Sequence, residues 1–519
     1  MSGSQKQGDS EASGQSAYFS KEAVSGVPWM VANKGAMLFV YMGLSVLTVR
    51  LLGPAEYGRF ALARSIMEFL VIICALGLDV AILRFVPELV AARNKAGLRR
   101  FLLRVLVLQQ AAAILALVTL LLARPLLERM FNVDLAGMLL PAGVLLAATI
   151  FKDAMNNAFT ALFRVRIVAV LSFLNGVLWL GLLVWLLGRR PDAATALSVQ
   201  SASLLIVYGA GLVLLTRLVR ALRWRSPPRG IGRQRTLSLS LSVMLNSVLR
   251  MLMLKYTEVF FLGVYFTPVI VGYYDLGYAT PLMVLTLIPA ALQTLLTSAF
   301  AQAYARDPQC LSRLIDAVYK LIILIVLPLA AFGVFFASRG IVLLYGQGMA
   351  PAGPIAAAFC VLHVLPLIST PLSMAITVKE QVLRMLPYML LQVGLNLLLD
   401  WLLIPRFGIP GAVGAVAGTF LLTIPWRLRA VRNILGGIHF PMAFFVRHLL
   451  VAGALSAALS PLARYLNLAT LILLGCAYLV SYVALTRMLR LIRPSDVADL
   501  RALGMSRVNR VLDRIVGRA

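Results

Sequence analysis

Apolar stretches long enough to cross a bilayer recur from one end of this chain to the other. Residues 105–123 (VLVLQQAAAILALVTLLLA), 167–187 (IVAVLSFLNGVLWLGLLVWLL) and 469–485 (ATLILLGCAYLVSYVAL) contain no charged side chain. A helix of about 20 residues spans the hydrocarbon core. No water reaches backbone N–H and C=O groups there, so a spanning segment is either a helix or part of a closed barrel. Uninterrupted runs of this length mean helices. Composition agrees: 61% of the 519 residues are hydrophobic and 13% charged, where a soluble domain carries roughly 25% charged residues. The expected fold is an all-α polytopic membrane protein.

Cutting at polar, glycine and proline breaks gives fourteen stretches. They lie at 33–51, 60–83, 101–123, 136–162, 166–187, 194–216, 237–262, 274–300, 314–337, 351–377, 383–404, 409–426, 443–463 and 468–486. The simplest organisation is an N-lobe of six spans (28–216), a basic linker (217–236), a C-lobe of six spans (237–430) and two further helices (431–490). The polar Ser/Gly/Gln-rich residues 1–27 have no signal-peptide apolar core and are expected to be a disordered tail. Beyond 490 the chain is basic. Within 495–516, Val497, Leu500, Leu503, Val508, Val511, Leu512 and Ile515 share one face. That pattern predicts an amphipathic helix lying on the inner leaflet; a partner-docking helix is the competing reading.

The basic residues fix an orientation. Of 48 Lys and Arg, 34 fall in alternate connections, termini included. Only Arg50, Arg59, Arg124, Arg129, Arg189, Arg190, Arg339, Arg406 and Arg464 occupy the other set. This alternation is the positive-inside pattern and puts both termini in the cytoplasm. The segment 217–235, RLVRALRWRSPPRGIGRQR, has seven arginines and no acid. In a soluble chain it would suggest nucleic-acid binding. Here it is a cytoplasmic connection facing anionic lipid headgroups, so the net charge of +28 is mostly topology. Cys74, Cys310, Cys360 and Cys476 show no paired spacing, and His363, His439 and His448 show no metal-ligand spacing. No cofactor is expected.

Two segments echo one another. LLGPAEYGRFALA (51–63) and YFTPVIVGYYDLG (265–277) each place Pro-x-x-x-Gly, Pro54/Gly58 and Pro268/Gly272, at an outer turn between two spans. LLGPAEYGRFALA followed by GLDVAILRFVPEL (77–89) resembles the first helical hairpin of the polysaccharide transporters. These are the Wzx-like flippases of the multidrug/oligosaccharidyl-lipid/polysaccharide superfamily. VGYYDLGYATPLMVLTLIPAALQTLLTSAFAQAYA (271–305) resembles their eighth span. LLYGQGMAPAGPIAA (343–357) is similar to the turn before the tenth span, and LLIPRFGIPGAVGAVAGTF (402–420) to the turn into the twelfth. The resemblance covers about 30–490 and implies a non-enzymatic flippase of the bacterial cytoplasmic membrane. It would move isoprenoid-diphosphate-linked glycans by alternating access.

Ionisable groups inside spans are expensive and are functional candidates by default. Arg250 lies deep in the seventh span, with no carboxylate at i±3 or i±4. Arg250, Arg64, Lys255 and Lys152 are the candidate contacts for a diphosphate-linked glycan. Against that, Lys255 has Glu258 at i+3 and Arg64 has Glu68 at i+4, so each is equally placed for a pair within its own helix. Asp79, Asp275 and Asp400 are the candidates for ion coupling, with helix capping or pairing as the alternative. Asn156, Asn157, Asn175 and Gln293 suit either sugar hydroxyls or polar helix packing. The expected partners are the lipid-linked oligosaccharide, anionic lipids, and polysaccharide polymerase or assembly proteins. A lipid II flippase and a cation-coupled multidrug exporter are the alternatives within the superfamily. A membrane glycosyltransferase or polymerase is disfavoured, because no outer connection is long and carboxylate-rich.

Overall fold

The computed structural model describes residues 3–221, 232–252, 255–306, 311–379, 381–435, 440–493 and 495–497. The described part of each of the fourteen apolar stretches is mostly helix, and the described residues contain no strand. Ten helices among the described residues are long and apolar enough to cross a membrane, or up to eleven with the bent pair Phe39–Cys74 and Leu78–Ala91 taken as one span. The chain is a multi-pass membrane protein. Contacts divide it into two units.

The first unit comprises Met1–Leu52 and Arg59–Met251. It is built on α1 (Gly3–Cys74), α2 (Leu78–Ala91), α3 (Lys95–Leu122), α4 (Arg124–Phe131), α5 (Leu139–Ala161), α6 (Val165–Leu182), α7 (Ala193–Ala221) and α8 (Arg233–Leu252). A π-turn at Leu183–Leu187 extends α6. Residues 3–27, expected to be a disordered tail, are helical and continuous with the first span. An apolar span supplies the helical nucleus, and each residue added to it then needs no nucleation of its own. At Gly53 the backbone turns to φ 70°, ψ 176°, which glycine adopts without strain and which separates the first two spans. At the centre of this unit lies α5, where Leu145, Leu146, Ala148 and Phe159 are fully buried. By contrast α3 turns Val107, Leu115 and Leu122 outward, as a helix bathed in lipid does.

The helix α8, expected with the second half, packs in the first unit. Gly77, at φ +65°, has no side chain, and this leaves room for the Ser240 carbonyl of α8. Arg235 of α8 pairs with Glu88 of α2 at 3.0 Å. The linker arginines at 222–231 lie outside the described residues.

The second unit comprises Gly53–Gly58 and Leu252–Ala519. It holds α9 (Tyr256–Tyr265), α10 (Pro268–Arg306), α11 (Leu311–Tyr345), α12 (Ala352–Leu362), α13 (Val364–Ile368), α14 (Thr370–Val378), α15 (Leu386–Phe407), α16 (Ile409–Leu435), α17 (Met442–Leu459) and α18 (Leu468–Met488). The seventh apolar stretch is thus divided between α8 and α9. Gly411 and Gly418 let α16 lie against Leu403 and Leu399 of α15 as a tight antiparallel hairpin. The core centres on α11, with Ala317, Val318 and Ile323 buried against α14, α16 and α17. Ile492 and Val497, beyond α18, join that core, and buried Lys320 and Asp496 pair at 2.7 Å. Residues 498–519, expected to form the amphipathic tail, lie outside the described residues.

Gly53–Gly58 belongs to this unit because backbone meets backbone there. Gly58 packs on the Pro268 carbonyl, and a Cβ added to Gly272 would come within 3.1 Å of the Gly58 Cα. The two Pro-x-x-x-Gly turns noted in the sequence touch each other.

Candidate functional site

Three groups of polar side chains sit within the spans. The most buried is on α15, where Tyr388, Gln392, Asn396, Asp400 and Ile404 follow one another at every fourth residue on a buried face. Such a face is polar where a lipid-exposed one would be apolar. Asn396 Nδ2 donates to Asp400 Oδ2 at 2.9 Å and to Glu258 Oε1 of α9 at 3.3 Å. Thr257 Oγ1 donates to Glu258 Oε2 at 3.2 Å, and its hydroxyl also faces the Asp400 carboxylate. Asp400 Oδ1 and Thr419 Oγ1 are buried and lack a protein partner. Thr419 directly follows Gly418 of α16, which lies against the Leu399 side chain of α15. Two fully buried carboxylates therefore share two neutral side-chain donors, the Asn396 amide and the Thr257 hydroxyl. They require a positive charge between them, a proton or a hard cation bound through oxygen.

Beside this cluster, Lys255 immediately precedes α9. Its Nζ pairs with Asp275 of α10, and Tyr57 Oη donates to Asp275 Oδ2 at 2.7 Å. Sequence reasoning offered Glu258 as the partner of Lys255. The structure instead gives Lys255 to Asp275, a residue on the next helix, while Glu258 turns to Asn396.

The third group belongs to the first unit. Arg64 Nε pairs with Glu68 at 2.7 Å, and Lys152 pairs with Asp153 at 3.0 Å. Both candidate cations thus carry a carboxylate from their own helix rather than standing bare. Tyr41 lies within electrostatic range of Lys152, Tyr208, Arg64 and Asp153. The Trp179 ring meets Tyr41 edge-on at 6.4 Å. Trp179 Nε1, Asn175 Oδ1 and Asn156 Oδ1 are buried without protein partners. Asp79 accepts from Gln109 Nε2 at 3.1 Å, so it is held locally, in a different unit from Asp275 and Asp400. The Arg250 backbone lies in α8, but its side chain, like that of Gln293, falls outside the described residues, as does His439. His363 and His448 face the carbonyls of Tyr278 and Phe444 and are core residues.

The family model for polysaccharide biosynthesis proteins matches residues 46–352. The chain belongs to that family. This polysaccharide biosynthesis protein shares its fold with solved transporters. A lipid II flippase, MurJ, in an inward closed conformation superposes with TM-score 0.66 at 11% identity, covering 88% of this chain and 99% of its own. A multidrug resistance MATE family transporter of the MOP superfamily, in an inward-facing conformation, gives TM-score 0.61 at 17% identity, covering 78% and 98%. A MOP superfamily transporter from Pyrococcus furiosus gives 0.55 at 17% identity, covering 79% and 95%. No curated protein matches the chain.

In this family member, sequence reasoning found Asp400 and Asp275 but missed Asn396, Glu258 as a cluster member, and Tyr57. One signal was available. Gln392, Asn396 and Asp400 are spaced i, i+4, i+8 inside a span, a polar stripe that a merely packed helix does not need.

Proposed function

We propose that this protein is a flippase carrying an isoprenoid-diphosphate-linked oligosaccharide from the cytoplasmic to the outer face of the cytoplasmic membrane, by alternating access and without covalent chemistry. The reading is carried by the first-unit group of Tyr41, Trp179, Asn156, Asn175, Arg64 and Lys152. Aromatic faces and unsatisfied amide and indole groups suit sugar rings and hydroxyls. The two ion-paired cations suit a diphosphate, which displaces a carboxylate by offering more charge and more acceptor oxygens. Family membership in polysaccharide biosynthesis points the same way. The driving cation is assigned to the oxygen cluster of Glu258, Asn396, Asp400 and Thr419. Arg250 remains the further substrate-contact candidate. Anionic lipids at the inner leaflet, and a polymerase or assembly protein receiving the product, are the proposed partners.

The test is the sidedness of lipid-linked glycan on depletion of the protein. Accumulation on the cytoplasmic face, reversed by the wild type and not by Lys152→Met or Arg64→Met, supports the reading. Unchanged glycan sidedness with loss of resistance to cationic drugs would instead support the multidrug-exporter reading.

A further inference from the structure

In the first unit, Gly176 lets α6 lie against the Met37 and Val40 side chains of α1, just before Tyr41. Asn175 and Trp179 of α6 are one turn apart on a buried face, and the Trp179 ring meets Tyr41 edge-on at 6.4 Å. Tyr41 in turn lies within electrostatic range of Lys152 and Asp153 of α5. Residues four apart on a helix have Cβ atoms about 5–6 Å from each other, so Asn156 is the neighbour of Lys152 on its helix face. Asn156 Oδ1, Asn175 Oδ1 and Trp179 Nε1 are each buried without a partner among the described residues. These are two acceptors and one donor, gathered around a cation. A polar group left buried and unpaired costs free energy, so the amide oxygens call for a donor and the indole N–H for an acceptor.

From this arrangement we infer that the sugar attached directly to the diphosphate is uncharged and carries free hydroxyl groups, and that Asn156, Asn175 and Trp179 select it. The inference rests on the flippase reading given above, in which Lys152 receives the diphosphate.

Position, hydrogen bonding and charge select in the same direction. Asn156 is one turn from Lys152, and so serves the sugar nearest the phosphate. A hydroxyl both donates to an amide oxygen and accepts from an indole N–H. An acetyl ester offers acceptors alone, and its presence leaves the amide oxygens buried and unpaired. A site built to hydrogen-bond a hydroxyl rejects an analogue lacking it far more strongly than an apolar pocket rejects extra bulk. Asp153, paired with Lys152 at 3.0 Å, keeps a negative charge beside the site. That charge accepts from a hydroxyl and repels the carboxylate of an acidic sugar. Tyr41, 45% exposed, presents a ring whose negative face suits the C–H face of a pyranose.

The experiment is calorimetric titration of the full chain in detergent micelles with four probes. These are farnesyl diphosphate, and the same compound carrying glucose, per-O-acetylated glucose or glucuronic acid on its diphosphate. The glucosyl probe should bind roughly tenfold tighter than farnesyl diphosphate alone, the scale of one or two hydrogen bonds to buried groups. The acetylated and glucuronyl probes should bind no tighter than farnesyl diphosphate. Asn156→Leu and Asn175→Leu should each erase most of the glucosyl advantage, read as the ratio of the two affinities within one variant. Binding of farnesyl diphosphate certifies that a variant is folded, and Asn156→Ser or Asn175→Ser replaces any leucine variant that fails this check. Asp153→Asn should narrow the gap between the glucosyl and glucuronyl probes. Equal binding of the glucosyl and acetylated probes, or tighter binding of the glucuronyl one, overturns the inference. If farnesyl diphosphate still binds and Lys152→Met weakens it, the flippase reading survives that loss. If farnesyl diphosphate does not bind, or binds Lys152→Met as well as the wild type, the diphosphate assignment is wrong and the inference falls with it.

Discussion

Asp400 has one carboxylate oxygen held by Asn396 and the other without a protein partner, and Glu258 draws on the same amide. Asp400→Asn keeps the shape and removes one of the two charges. Without the cation the protein should therefore melt higher than the wild type, since like-charge repulsion is relieved, and sodium or acid should no longer raise its melting temperature. Loss of transport together with an unchanged cation response would move the coupling site elsewhere. At this scale the sequence was legible where a charge interrupts a span, which is how Asp400, Asp275, Lys255 and Arg64 were found. It was illegible where partners come from other helices. Lys255 and Glu258 are neighbours in sequence, so the sequence suggested a pair, yet Asp275, from the next helix, holds the lysine.

Among the elements, the contact between the turn at 53–58 and the start of α10 has no room for a side chain. Gly58→Ala forces a Cβ into the Pro268 carbonyl and should cost about 1–3 kcal/mol through backbone displacement. Gly43 has open space around its Cα, so Gly43→Ala should be neutral or up to about 1 kcal/mol stabilising, since alanine loses less entropy in a helix. Thermal unfolding of the two variants separates the steric cost from the propensity. The strap after α18 offers a second comparison. Lys320→Met leaves the buried Asp496 carboxylate with the Arg493 N–H but without Lys320 and should cost about 3–5 kcal/mol, whereas Lys320→Met with Asp496→Leu should recover most of it. Equal melting temperatures for the single and double variants would show that the pair is not desolvated. Helix positions were legible from hydropathy alone. The division of the seventh stretch into α8 and α9 was not, because no proline or glycine marks it.

For the whole molecule, the alternation of basic residues predicts that both ends face the cytoplasm. A reporter active only in the cytoplasm should work when fused after Arg225 and fail when fused after Arg189. The reverse outcome inverts every span. Fold class was the most legible property, since apolar length and charge placement are one-dimensional signals. The unit boundary was less so, because it depends on which helices α8 touches. The meeting of Gly58 with Gly272 carries a consequence for how such a chain can change over generations. If the two halves descend from one duplicated segment, each copy's turn now occupies the space into which the other would grow a side chain. Enlargement of either glycine is then penalised by its counterpart, and the halves cannot drift independently at this point. A library randomised at positions 58 and 272 together, selected for polymer export, should return small residues at both and almost never at one alone.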